Sequence, residues 1–140
     1  PIDWLSDLRK KDRQKDFLIK GKALWEEEEN KKPFFLKIAV PKAKEDWSDL
    51  SVVAKKWTEE EENNSEAWYE YGFANEKLLN LDIALSSYNK SISKDKNNSD
   101  SLFRSALIYN TKGNLSKAKT IQKDLLLINE AKALELEELL

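Results

Sequence analysis

The chain of 140 residues carries 24 Lys and Arg against 26 Asp and Glu, a formal charge of −2, and contains three Gly, three Pro and no His, Cys or Met. So few turn formers beside abundant Leu, Ala, Lys and Glu leave little material for an all-β fold and predict an all-α one, long enough to bury a core. Near-balanced charge gives no general reason to hold nucleic acid or an anionic membrane, no apolar run is long enough for a membrane span, and without His or Cys the Ser-His-Asp, Cys-His and zinc-ligand arrangements are excluded, as are disulfides.

Residues 1–12 read P-I-D-W-L-S-D-L and then turn basic. Trp4, Leu5 and Leu8 fit one apolar face of a helix. The octet also resembles the closing segment of bacterial trypsin-like protease domains, where an extended run is followed by a short helix. That resemblance implies the C-terminal part of a longer bacterial protein, an expectation that the start at Pro1 and the lack of Met suit. From Arg13 to Glu29, Phe17, Leu18, Leu24 and Trp25 recur at helical spacing, with Gly21 a mild weakness in the middle. Glu26 to Glu29 close this helix with the wrong sign for its dipole. The run reads as a solvated end and not a metal site, because carboxylates adjacent in sequence point around a helix and no calcium loop accompanies them. Pro33 suits a first helical turn. Pro41 removes a backbone bond and predicts a kink or a stop near Val40. Trp47, Leu50, Val53, Ala54 and Trp57 then predict a helix over 46–62.

The next stretch repeats. Asn63, Asn64 and Ser65 recur as Asn97, Asn98 and Ser99, and Asn80, Leu81 and Ala84 recur as Asn114, Leu115 and Ala118, each 34 positions on. Helices are expected over 65–78 and 81–93, capped by Asn63 to Ser65 with Glu66 in the first turn. A glycine in mid-helix at Gly72 implies close approach of the following helix at Ala84. The period, and the reading S-E-A-W-Y-E-Y-G-F-A followed by N-L-D-I-A-L-S-S-Y-N-K-S-I, resemble the tetratricopeptide repeat, two antiparallel helices per unit, at Trp68, Gly72, Ala84, Tyr88 and Ser91. Trp68 and Tyr88 are then expected to fill the gap beside Gly72. The unit over 99–132 matches at Leu102, Ala106, Ala118 and Leu125, has Gln122 in place of the usual aromatic, and ends its first helix at Gly113. Counting back 34 residues puts Ile38 and Leu50 where the family has small residues, so the unit within 13–64 is degenerate. Residues 133–140 continue a further helix that shields the last repeat. The resemblance thus implies a right-handed α-α superhelix of about three helix pairs plus a capping helix.

The resemblance also places the functional surface on a concave face lined by the first helix of each pair. There it sets Glu66, Tyr69, Phe73 and Glu76 of one repeat beside Asp100, Phe103, Leu107 and Asn110 of the next, each set on one stripe. Family members that hold a peptide's terminal carboxylate use Lys and Asn here, and this aromatic set argues against that mode. The expectation is a non-catalytic module that takes an apolar or basic peptide or helix by burial, with charge at the rim. Three alternatives stay open: the aromatics are covered within the chain, the array self-associates through apolar end faces, or the chain is the accessory region of a trypsin-like serine protease. No cofactor is implied, and the compartment is open between cytoplasm and periplasm.

Overall fold

A computed structural model describes residues 4–140, with side chains from Lys10 onward. The octet Pro1 to Leu8, and with it both readings of Trp4, Leu5 and Leu8, lies outside the described side chains. The chain divides into two units, Pro1–Lys37 and Ile38–Leu140. In the first, α1 (Trp4–Lys31) is a single helix that runs unbroken through Asp12 and Arg13, and α2 (Phe34–Lys37) is one turn. No proline falls within α1, so nothing stops it earlier. Lys22, Lys31 and Lys32 pair with Glu26, Glu27 and Glu29 at 4.0, 3.4 and 2.9 Å, which neutralises part of the misplaced acidic run. These exposed pairs contribute little stability.

The second unit contains α3 (Ala39–Ala43), α4 (Trp47–Glu60), α5 (Ser65–Lys77), α6 (Leu81–Lys94), α7 (Ser99–Thr111), α8 (Leu115–Ile128) and α9 (Glu130–Leu139). The break expected near Val40 falls instead at Ile38. Pro41 has no N–H for the carbonyl four residues earlier, so the ladder fails on its N-terminal side. Past it, the N–H groups of Lys42 and Lys44 bond to the carbonyls of Ile38 and Val40, and the helix continues through the proline.

Each hairpin turns in the same way. Glu45, Leu79 and Gly113 take φ of 56°, 64° and 84°, and they are spaced by 34 residues (79 − 45 and 113 − 79). The following N–H groups, of Asp46, Asn80 and Asn114, reach back to the carbonyls of Pro41, Asn75 and Tyr109 at 2.9, 2.8 and 2.8 Å. This is a Schellman turn used three times. It puts the degenerate first unit in register with its neighbours although Ile38 and Leu50 are both buried. Asp46, Asn64, Asn98, Asn114 and Asn129 then cap the helices that follow them, each side chain accepting a first-turn N–H.

At Gly72, α5 lies tight against α6. A Cβ added there would lie 2.8 Å from Cδ1 and Cε1 of Tyr88 and 3.2 Å from the Ala84 carbonyl oxygen. Tyr88 therefore fills the gap from α6, fully buried with Ala84 and Ile108. The three atoms nearest that Cβ belong to Tyr88 and Ala84 and not to Trp68. The indole is half-buried, donates its N–H to the carbonyl of Glu62 in the turn before α5 at 2.7 Å and lies under Lys90. Beyond, Leu102, Phe103 and Ala106 of α7 pack with Ala118 and Leu125 of α8 and with Ala133 and Leu136 of α9. Asn129 alone joins α8 to α9, serving as C-cap of one and N-cap of the other. Consequently α9 starts at Glu130, three positions ahead of the 34-residue register that Ser65 and Ser99 set.

Candidate functional site

The α5 stripe carries an aromatic surface. Tyr69 and Phe73, one helical turn apart, stack with centroids 6.0 Å apart, and Trp47 at the start of α4 meets Phe73 edge-on at 5.5 Å. Behind them Tyr69 leans on Tyr88 at 5.8 Å. Tyr69, Phe73 and Trp47 are each half-buried. Three helices supply cations to the Phe73 ring: Lys42 at 5.4 Å, Lys77 at 5.4 Å and Arg104 at 4.7 Å. Lys77 also lies 5.9 Å from the Trp47 ring, so its ammonium is shared between two π faces.

Carboxylates answer most of this charge. Glu76 accepts the Tyr88 hydroxyl on Oε1 at 2.9 Å and Arg104 on Oε2 at 2.8 Å. Lys42 donates to Glu70 Oε1 at 2.7 Å, and the other oxygen of this buried side chain has no partner. Lys132 pairs with Asp100 at 2.8 Å. Burial pushes the Tyr69 phenol up to about 12, with Arg104 opposing, so it stays protonated. Tyr88 is raised further by burial and then by Glu76. Burial works against the Arg104 charge, but Glu76 and then Tyr69 outweigh it and raise its pKa. Glu66 is exposed as a residue, yet desolvation by its surroundings, and then Glu70, hold its carboxyl above the ordinary range against the pull of Lys42.

Of the residues expected on this face, Glu66, Tyr69, Phe73 and Glu76 lie together along α5. The α7 set divides. Phe103 is 9 % exposed and belongs to the core that α9 completes, with Lys132 over its ring at 5.3 Å, so at this end the aromatic is covered within the chain. Leu107 leans on the same core, and it also lines a cavity of about 390 Å³ with Glu76, Lys77, Leu79, Leu81, Ile108 and Thr111. Asp100 is exposed at the margin beside Lys132, and Asn110 is half-buried outside that cavity. Trp47, Lys42, Glu70, Lys77 and Arg104 were not among the expected site residues. Trp47 was visible only as part of a helix face, and although Glu70 and Arg104 stand one 34-residue period apart, Lys42 and Lys77 fall outside that register. The acids expected at the rim are largely engaged: Arg104 holds Glu76 and Lys132 holds Asp100.

No protein-family model matches the sequence, and no curated protein sequence matches it. Among solved structures it is similar to the TPR2B domain of yeast Sti1 in its complex with pHsp70, with a TM-score of 0.70 and 19% identity over 76% of this chain and 89% of that one. It is also similar to the Yersinia enterocolitica type III secretion translocator chaperone SycD, with a TM-score of 0.68 and 15% identity over 75% and 86% of the two chains. For MamA the values are 0.58 and 20%, over 74% and 72%. These likenesses, with the thrice-used turn, establish the tetratricopeptide-repeat fold, an all-α right-handed superhelix of paired helices. Among the described residues no helix is long and apolar enough to cross a membrane.

Proposed function

We propose that the chain is a non-catalytic protein-interaction module that takes a peptide or helix of a partner protein along the face made by α5 and α7. The observation that carries this reading is the half-buried Tyr69 and Phe73 stack with Trp47 at its edge, and with a cavity beyond it at the end of α5. Such a surface binds chiefly by apolar burial, with a few polar groups setting orientation. Sti1 TPR2B, similar in fold, was solved in complex with pHsp70, which supports a binding role for a module of this fold. With Glu76 and Asp100 held by the protein's own cations, Glu66 and Lys77 are the charges left to select a ligand. They stand at opposite ends of α5, about 16 Å apart at 1.5 Å per residue. The ligand expected is therefore an apolar segment with a basic group toward one end and an acidic group toward the other.

Peptides selected from a displayed library on the immobilised chain test this. Amide and side-chain NMR shifts on adding a selected peptide should concentrate at Tyr69, Phe73, Lys77 and Leu107. Phe73→Ala should weaken its affinity about tenfold, as loss of an interface anchor does, without changing helicity by circular dichroism. Selected peptides whose shifts fall elsewhere would overturn the reading.

A further inference from the structure

Glu70 is a buried carboxylate that its own chain pairs only by half. Glu76, further along α5, has both oxygens taken, Oε1 by the Tyr88 hydroxyl and Oε2 by Arg104. Glu70 accepts from Lys42 on Oε1 at 2.7 Å, while Oε2 is enclosed and has no partner among the described residues. An unpaired acceptor in a desolvated place costs free energy. A single ammonium on one oxygen is also a poor match for a carboxylate that a planar guanidinium can meet on both. The approach to this group leads past Lys42, because the Glu70 side chain is 3 % exposed and that of Lys42 is 41 % exposed. The ammonium rides on a flexible four-carbon stem from the five-residue helix α3 and already lies 5.4 Å from the Phe73 ring, where it can stay when it leaves Glu70. Glu66 stands one turn before Glu70 on the same stripe. Its carboxyl is held above the ordinary range by burial and then by Glu70, against Lys42 and with Asp100 adding, so these acids share one field.

We propose that Glu70 is the subsite for an arginine side chain of the ligand, which enters past Glu66, displaces the Lys42 ammonium and closes on both Glu70 oxygens. The proposal rests on α5 being the ligand-facing helix. Lys42 is then an internal stand-in for the ligand's cation, and it keeps the carboxylate paired while the face is empty. The exchange swaps one cation for another, so no charge is left buried alone. It gains the hydrogen bond on Oε2 that Lys42 does not make. Arginine is selected over lysine, because a second ammonium would only repeat the bond that it replaces.

Titration of the full chain with N-acetyl-arginine amide, followed by the NMR shift of the Glu70 carboxyl carbon at constant ionic strength, should saturate. N-acetyl-lysine amide should bind about tenfold more weakly. Lys42→Met removes the internal competitor and should tighten the arginine derivative about tenfold, whereas Lys42→Arg, which fills both oxygens from within, should weaken it about tenfold. A purely structural ion pair would give no gain in the first variant. Lys42→Arg keeps a cation on Glu70, so the test stands even where Lys42→Met folds poorly. No saturable shift up to the solubility limit, equal binding of the two derivatives, or an affinity indifferent to Lys42→Arg would each overturn the proposal. Library peptides that dock on Tyr69 and Phe73 without an arginine, and with the same affinity for Lys42→Arg, would end it while leaving the interaction module intact, whereas the module reading fails on where the peptides dock.

Discussion

Replacing Gly72 by alanine sets two effects against each other. Helix propensity favours the change by about 1 kcal/mol. The new methyl, however, would lie 2.8 Å from two ring carbons of Tyr88 and 3.2 Å from the Ala84 carbonyl oxygen. Tyr88 has no room to yield, since it is fully buried, rests on Tyr69 and is tied through its hydroxyl to Glu76. Overpacking a rigid site of this kind belongs in the upper part of the usual range, about 2–3 kcal/mol. The net expectation is a loss of about 1–2 kcal/mol for Gly72→Ala, read from urea unfolding followed by far-UV circular dichroism, with m unchanged. Tyr88→Leu removes the ring that the methyl would strike. In that background Gly72→Ala should cost clearly less, giving a coupling of the order of 1 kcal/mol in a double-mutant cycle. A single variant as stable as the parent, or a cycle that is merely additive, would refute the close-approach reasoning.

Leu79, 81 % exposed and held at φ 64°, occupies the turn position where the next repeat has Gly113. Leu79→Gly should stabilise the fold by about 0.5–1 kcal/mol, because left-handed strain on an L-residue outweighs the added freedom of the unfolded chain; thermal unfolding measures it, and a lower melting temperature would count against it. Lys42→Ala leaves the buried Glu70 carboxylate with neither oxygen paired and should cost about 2–3 kcal/mol. Lys112→Ala, which breaks the exposed pair with Asp82, should cost about 0.5 kcal/mol; equal losses in urea unfolding would contradict the role given to Glu70. For Glu66, desolvation and the neighbouring acids raise the folded-state pKa above the ordinary carboxylate range, so ionising this group weakens the fold as pH rises through that range. Glu66→Gln should therefore match the parent at pH 3 and exceed it in stability at pH 7, a difference that unfolding curves across that interval would detect.

The hairpin array was legible because its turns are local. Asparagine at the helix starts and Gly113 at a left-handed position are consequences of residue type alone, and they recur with the apolar pattern. The first unit was legible in outline only. Ile38 and Leu50 break the small-residue pattern, while Glu45 and Leu79 take the same left-handed turn as Gly113 without being glycine, so composition does not announce them. Of the face expected from the spacing, the α5 stripe lies together as read, whereas the α7 residues divide between core and surface. Phe103 reads as a groove residue by spacing, but Asn129 ends α8 and starts α9 at once, and the early α9 closes over that ring. The cations around Phe73 come from residues 42, 77 and 104, three helices whose meeting at one ring is a tertiary fact.

What holds the face in shape is a seam of small polar side chains behind it. Ser91 looks in sequence like one more small residue, yet its hydroxyl donates to the Ser65 carbonyl at 2.9 Å and lies 2.6 Å from Ser101 Oγ. Asn98 caps α7 by accepting the Ser101 N–H on Oδ1, and its amide donates to Ser65 Oγ and Ser91 Oγ at 2.9 and 3.1 Å. One side chain therefore joins the start of α7 to the start of α5 through α6. Hydrogen bonds have narrow geometry, and a buried network with its members satisfied resists sliding in a way that apolar contacts alone do not. This fixes α5 against α7 at the end where Glu66 and Asp100 sit, while the salt bridge between Glu76 and Arg104 fixes them nearer the other. The aromatic surface between these two ties is preorganised, so a ligand docking there need not order it first.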